Sequence, residues 1–150
     1  MKKEKHKIIP ASYLVLKKDE KVLLLRRFNT GYEDGKYSLV AGHVESGESF
    51  TQCVIREAKE EAGVDLDPRH LKVGCMMHRD SGTEKDSQRI DSFFVAEKWE
   101  GEIENKESHK CDDLSWFHLD EIPENIIPYI KKALENIKNN IFYDEHGWCE

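Results

Sequence analysis

The chain has 150 residues, with 30 acidic against 23 basic side chains and a formal charge of −7. That length suits one domain, residues 1–150, with a core of its own, and no repeat or low-complexity segment divides it. The charge argues against stable nucleic-acid binding, no apolar run approaches membrane-spanning length, and the basic start MKKEKHK leads into a strand pattern rather than a signal-peptide core.

In chain order, Ile8 to Leu16 and Val22 to Arg26 are aliphatic runs joined by the polar KKDEK, which predicts a hairpin. FNTGYEDGKY has the turn residues of a loop, and a short strand from Tyr37 to Ala41 then delivers Gly42. A helix begins near Ser49: Phe50, Cys53, Val54 and Ala58 form its apolar stripe, and Gly63 stops it as a left-handed residue would. Strands are expected at Leu71 to His78 and Ile90 to Trp99, separated by the polar DSGTEKDSQ. GEIENKESHKCDD is expected to be a loop before a strand from Leu114 to Leu119. Pro128 to Asn139 reads as a helix, with Ile130, Ala133, Leu134 and Ile137 at core spacing. Phe142 to Glu150 has no clear periodicity and is assigned to the surface or to a subunit contact, which leaves a homodimer open. Strands packed with two helices give an α/β (α+β) sandwich with a mixed sheet between helices.

Cys53, Cys75, Cys111 and Cys149 are too scattered for a CxxC motif. They are expected to be reduced, as in a cytoplasmic enzyme, with Cys53 and Cys75 at core positions. Adjacent Phe93 and Phe94 point to opposite faces of their strand.

The acids within the first helix set its chemistry. Glu57, Glu60 and Glu61 stand at i, i+3 and i+4 and share one face. Like charges so close raise each other's pKa and disfavour an isolated helix, so they need compensation. A hard divalent cation such as Mg²⁺ supplies it through carboxylate oxygens, and a solvated acidic face is the plainer alternative. Arg56 precedes the set and is an ion-pair partner for Glu60, while Glu48 suits the positive end of the helix dipole and balances Arg56.

Gly42, five residues, Glu48, seven residues and then Arg56-Glu57-Ala58-Lys59-Glu60-Glu61-Ala62-Gly63-Val64 resemble the complete signature of the Nudix hydrolases. Chance fills every fixed position less than about once in a million chains of this length. The resemblance implies a Nudix-type α/β/α sandwich and divalent-metal-dependent cleavage of a pyrophosphate linkage, with Mg²⁺ or Mn²⁺ as cofactor. It implies metal ligands at Glu57, Glu60 and Glu61 and a metal-binding carbonyl at Gly42 or its neighbours, with Arg56 orienting the glutamates. The general base varies in this family, so Glu60 or Glu61 on the helix and Glu107, Asp112 or Asp113 in the later loop all remain candidates. The loop Phe28 to Tyr37 and His78, Arg79 and Asp91 fall near the expected base or leaving-group pocket, and Arg26 and Arg27 are either phosphate contacts or surface charges. Trp116 is expected in the core.

Arg79, Asp80 and Ser81 stand where other Nudix classes carry a marker tyrosine or proline, and the Ser87-Gln88 pair does not replace the motif of the NADH class. The chain is therefore similar to compact MutT-type nucleoside triphosphate pyrophosphohydrolases. The reaction so implied yields a nucleoside monophosphate and pyrophosphate from a small-molecule nucleotide, a triphosphate or a related nucleoside diphosphate derivative. The alternatives are an ADP-ribose, nucleotide-sugar or dinucleotide hydrolase and a non-catalytic nucleotide sensor.

Overall fold

The longest strands form the centre of the architecture. In a computed structural model that describes residues 3–82 and 88–148, β1 (Ile9–Lys18) turns into β2 (Lys21–Arg27) through Asp19 and Glu20. Both turn residues take left-handed φ values, 51° and 62°, which match the twist of a two-residue hairpin. There follow β3 (Tyr37–Ser38), β4 (Val40–His43), α1 (Phe50–Ala62), a 3₁₀ turn at Pro68–His70 and β5 (Leu71–Asp80). The chain continues through β6 (Gln88–Ala96), β7 (Cys111–His118), α2 (Pro128–Lys138) and β8 (Tyr143–His146). The middle of the DSGTEKDSQ loop, with Ser87, and Cys149 lie outside the described residues.

The strands pair in the order β3-β2-β1-β6-β5-β8, with β4 also on β1 and β7 on β2. β1 runs parallel to β6, and β5 parallel to β8, while the remaining pairs are antiparallel, so the sheet is mixed as expected. Side-chain alternation then gives each face a core. Tyr13, Val15, Cys75, Met77 and Phe93 pack with Ile130, Ala133 and Leu134 of α2. Leu14, Leu16 and Phe94 pack on the other face with Val54, Ala58 and Ala62 of α1. Both Phe93 and Phe94 are buried because helices cover both faces. Trp116 packs against the α1-side core and stacks on Trp99 at 5.8 Å.

Three of the differences from the sequence reading change a strand's pairing or place new residues on the sheet. The strand expected at Tyr37 to Ala41 breaks at Leu39 into β3, which pairs with β2, and β4, which pairs with β1. The strand expected from Leu114 starts at Cys111, because the long partner β2 offers pairing out to Arg27. Asp112 and Asp113 are thus strand residues, not loop residues. Tyr143–His146, expected to be irregular, adds an edge strand on β5.

Helix α1 is fixed at both ends. Ser49 Oγ accepts from Gln52 N at 3.0 Å and Gln52 Oε1 accepts from Ser49 N at 2.8 Å, a reciprocal cap. Gly63, at φ 70°, closes the other end by donating to Lys59 O at 3.2 Å. Ser49→Ala is expected to cost about 1 kcal/mol and to lower the melting temperature by about 2–4 °C for a domain of this size. An unchanged thermal transition would show that the cap does not hold the helix start.

Candidate active site

Arg56 is the hub around which the helix acids are arranged. Its Nε donates to Glu48 Oε2 at 2.7 Å and its Nη2 to Glu48 Oε1 at 3.0 Å, a two-pronged grip on the residue before the helix. Nη1 reaches Glu57 Oε1 at 2.7 Å and Glu60 Oε2 at 3.3 Å, and Nη2 also donates to the His43 carbonyl at 3.3 Å. One guanidinium thereby ties three carboxylates and the end of β4 together. The Arg56 hydrogen bond, helped by the Glu45 amide, pulls the Glu48 carboxyl down to about 2.

The other acids are held against β4. A Cβ on Gly42 would overlap the Glu57 carboxylate, so the glycine is what lets that side chain lie against the backbone. Glu61 Oε2 accepts from Ala41 N at 2.9 Å. Burial raises the Glu61 carboxyl well above its ordinary range, and the Glu57 and Glu107 charges add to the shift against the Ala41 amide and Arg27. Burial also raises Glu57, with Arg56 opposing and Glu60 and Glu107 reinforcing.

Of the three distal candidates, Glu107 alone joins this group. Its loop is stapled to the end of α1, where Glu104 N donates to Ala62 O at 2.9 Å and Lys106 N to Glu61 O at 3.1 Å. A cleft of about 560 Å³ is lined by Glu45, Arg56, Glu57, Glu60, Glu61 and Glu107 together with Arg27, Lys110 and Cys111. Asp112 and Asp113 do not line it. Asp112 is paired with Arg26 at 2.7 Å on the surface of the sheet. Asp113 accepts from Ser115 Oγ at 2.6 Å and from the Tyr37 hydroxyl, and these bonds, Ser115 first, lower its carboxyl.

A second cavity, of about 580 Å³, shares Arg27 and Ala41 with the first, so the two adjoin. Tyr13, Tyr32, Tyr129, His43, Arg79 and Arg89 line it. Arg79 and Asp91 meet here as an ion pair at 2.8 Å, whereas the ring of His78 packs on Trp148 with centroids 4.6 Å apart. Arg89, Tyr13 and Tyr129 were not singled out from the sequence. The only signal was for Arg89, which lies two residues before Asp91 and so on the same strand face.

Glu57, Glu60, Glu61 and the Gly42 carbonyl offer the hard oxygen donors that a divalent cation prefers, and the cradle at Gly42 brings one carboxylate onto the backbone. Among the described residues, no three His, Cys, Asp or Glu side chains already form a ligand cage. The reason is visible in the pairing: Glu57 is engaged by Arg56 and Glu61 by the Ala41 amide. The donor set fits a cation, with reorientation of these side chains.

The NUDIX domain family model matches residues 7–137. The NAD-capped RNA hydrolase NudC of Stutzerimonas stutzeri (strain A1501) is 32% identical over 117 residues, which is 78% of this chain and 39% of that protein. The protein of the same name from Pseudomonas aeruginosa (strain LESB58) is 33% identical over 78% of this chain and 38% of its own length. The chain thus spans about two fifths of the length of these relatives. Among solved structures, the MutT NUDIX hydrolase from Burkholderia pseudomallei has a TM-score of 0.78 at 24% identity, covering 86% of this chain and 97% of that one. The MutT protein from Methanosarcina mazei Go1 has a TM-score of 0.75 at 23% identity, covering 91% and 97%. At these identities the structures show a shared fold.

The buried acid makes a stability prediction with a definite sign. A carboxyl whose folded pKa is raised stabilises the fold most when protonated, and that contribution is lost as pH rises through the raised value. Glu61→Gln keeps an oxygen for the Ala41 amide and removes the charge. In chelator, the variant and the parent should melt alike well below the ordinary carboxylate range, and the variant should melt higher, by roughly 2–4 °C per kcal/mol gained, at neutral pH. A parent that melts as high as the variant at neutral pH would contradict burial of that charge.

Proposed function

The chain belongs to the NUDIX family, and on that premise we propose that it hydrolyses a pyrophosphate linkage in a nucleoside triphosphate or a related nucleoside diphosphate derivative. From a triphosphate the products are the nucleoside monophosphate and pyrophosphate. The observation that carries the reading is the adjoining of an acidic cleft and an arginine-lined cavity across Arg27 and Ala41. In this reading the first would hold a metal-dependent centre against the anhydride, and the second would receive the rest of a small anionic substrate.

NUDIX hydrolases generally use divalent metals, and Glu57, Glu60, Glu61 and the Gly42 carbonyl are proposed to hold Mg²⁺, with Mn²⁺ as a substitute. When bound, such a cation offsets phosphate charge and acidifies water. Arg56 keeps Glu57 and Glu60 in register through its guanidinium fork. Glu107, opposite the helix on a stapled loop, is proposed to accept the proton of the attacking water. Arg27 lies at the junction, beside the path of the phosphate chain. It is held there by bonds from Nε to Tyr32 O at 2.7 Å and from Nη2 to Thr30 Oγ1 at 3.1 Å. The reading treats residues 1–150 as one catalytic domain, and the free, buried thiols of Cys53, Cys75 and Cys111 suit a reducing, cytoplasmic setting.

A second reading, cleavage within an NAD-type dinucleotide, is suggested by the NudC relatives, which are NAD-capped RNA hydrolases. A panel of ribo- and deoxyribonucleoside triphosphates, ADP-ribose, nucleotide sugars and dinucleotides, with products separated by chromatography, distinguishes the two. Monophosphate and pyrophosphate from at least one triphosphate, abolished by excess chelator, is the expected result. Exclusive cleavage of dinucleotides selects the second reading, and turnover undiminished in chelator rejects both. On the preferred substrate, Glu107→Gln should lower kcat roughly a hundredfold or more, the scale of losing a general base, while Asp112→Asn stays within a few-fold of the parent. Equal rates in Glu107→Gln and the parent would return the base to the helix.

A further inference from the structure

Helix α2 ends at Lys138, and past that end a groove of about 650 Å³ opens over the sheet. It lies between Ile137 on the last turn of the helix and the strand residues Lys17, Lys72, Gly74 and Val95. The volume is that of an ordinary small-molecule site. The groove shares no lining residue with the acidic cleft or with the arginine-lined cavity. Tyr129, which borders the arginine-lined cavity, stands eight residues before Ile137, about 12 Å away along the helix axis.

Sheet register gathers positive charge around this groove. Lys72 is the antiparallel partner of Val95, and Val95 is the parallel partner of Val15, two residues before Lys17, so Lys17, Lys72 and Val95 share one face. Lys98 joins them from just past the end of β6, and Glu97 is the one acid of the lining among the described residues. Lysines 36, 59, 106, 132 and 138 each have a carboxylate between 2.7 and 3.3 Å away. Among the described residues, Lys17, Lys72 and Lys98 form no ion pair. The floor is apolar and fixed. A Cβ on Gly74 would stand 2.9 Å from Val95 Cγ2 and 3.0 Å from Ile137 Cγ1, so the glycine in the β5 bulge lets both side chains close over the strand. The Phe142 carbonyl accepts from Met76 N at 2.7 Å, which pins that wall while its ring stays 57% exposed. An exposed ring on a pinned backbone offers a stacking face at little cost in freedom.

We propose that this groove is a second ligand site, separate from the hydrolytic centre, for a phosphate ester with a planar aromatic body, the chemistry of a nucleoside monophosphate. The ring lies against Phe142 and the floor of Val95 and Ile137, and the phosphate sits among Lys17, Lys72 and Lys98. Three ammonium groups match a dianion better than a single carboxylate, and lysine binds phosphate as a point charge from several directions. The groove is concave, so it suits a molecule that enters it rather than a bilayer that lies across it. The site stands apart from the hydrolytic reading, since none of its residues belongs to that centre.

The test needs no turnover. Adenosine monophosphate is titrated into the 150-residue chain in chelator and followed by amide and methyl resonances. These separate the groove, through Gly74, Val95 and Ile137, from the catalytic cleft, through Ala41 and Glu61. Saturable shifts in the groove set are expected. The affinity read there should fall about tenfold or more when Lys72 and Lys98 are both replaced by glutamine, and by a similar factor in Phe142→Ala. All three side chains are exposed, so the variants keep the core intact. Adenosine and inorganic phosphate each lack one half of the ligand and should bind about tenfold more weakly or worse. No saturable shift in the groove set, equal affinity in the variants, or inorganic phosphate binding as tightly as the nucleotide overturns the proposal even if the protein proves to be a hydrolase. Groove resonances that answer to phosphatidylserine vesicles or to a glutamate-rich peptide, but not to the nucleotide, assign the surface to that partner and overturn it as well. Nucleotide binding in the groove that the variants lose sustains it even if no nucleotide is cleaved.

Discussion

The arrangement depends on one guanidinium set among carboxylates that would otherwise repel. Arg56 grips Glu48 with two donors and reaches Glu57 and Glu60 with a third nitrogen, while the His43 carbonyl shares the load. Charges this close are costly when partly buried, and leaving one of them unpaired costs more than the pair is worth. The helix can therefore present an acidic face to the cleft only because the arginine one position before Glu57 folds back over it. The Gly42 cradle and the Ala41 amide do the same for the far sides of Glu57 and Glu61. Function follows from the imbalance that remains: with Glu61 and Glu107 facing the same space, the cleft keeps more negative charge than the protein neutralises.

That imbalance is spatially bounded. Across Arg27 and Ala41 the sign reverses, and the second cavity takes over with a lining that holds three arginines and, among the described residues, no acid. A polyphosphate is suited to such a boundary, since its chain carries negative charge that either bound cations or arginines can meet. The sheet makes the boundary possible. β4 and β6 flank β1 on opposite edges, so residues from 41 to 43 and from 89 to 91 are held at fixed spacing by the same strand. β5 then delivers Arg79 opposite Arg89 by antiparallel register.

Much of the acidic half was legible in the sequence, and for a physical reason. Helical spacing fixes which of Glu57, Glu60 and Glu61 share a face, and Ser49 and Gly63 mark the ends of α1 by their own hydrogen-bonding habits. These are local rules. The family resemblance rested on the same twenty-three residues, from Gly42 to Val64, and the family match bears it out. The distal acids were not resolvable, because a strand boundary three residues earlier than expected moved Asp112 and Asp113 onto the sheet, where Arg26, Tyr37 and Ser115 take them up. Glu107 faces the cleft only because backbone carbonyls at the end of α1 capture its loop, a contact with no sequence signature. The arginine cavity was hidden for a similar reason, since positions 27, 79 and 89 are brought together by sheet register alone. The edge strand β8 was missed because four residues, YDEH, are too few to show a period.

The central claim is that the helix carboxylates form a cation site whose ligands are held in reserve by Arg56 and the Ala41 amide. Mn²⁺ binding, counted from the loss of the free-ion electron paramagnetic resonance signal at neutral pH, tests it without reference to any substrate. The account predicts saturable binding to the wild type that is lost when Glu57 and Glu61 are both replaced by glutamine, in a protein that remains folded by circular dichroism. Equal Mn²⁺ binding by that folded double variant and the wild type would contradict it.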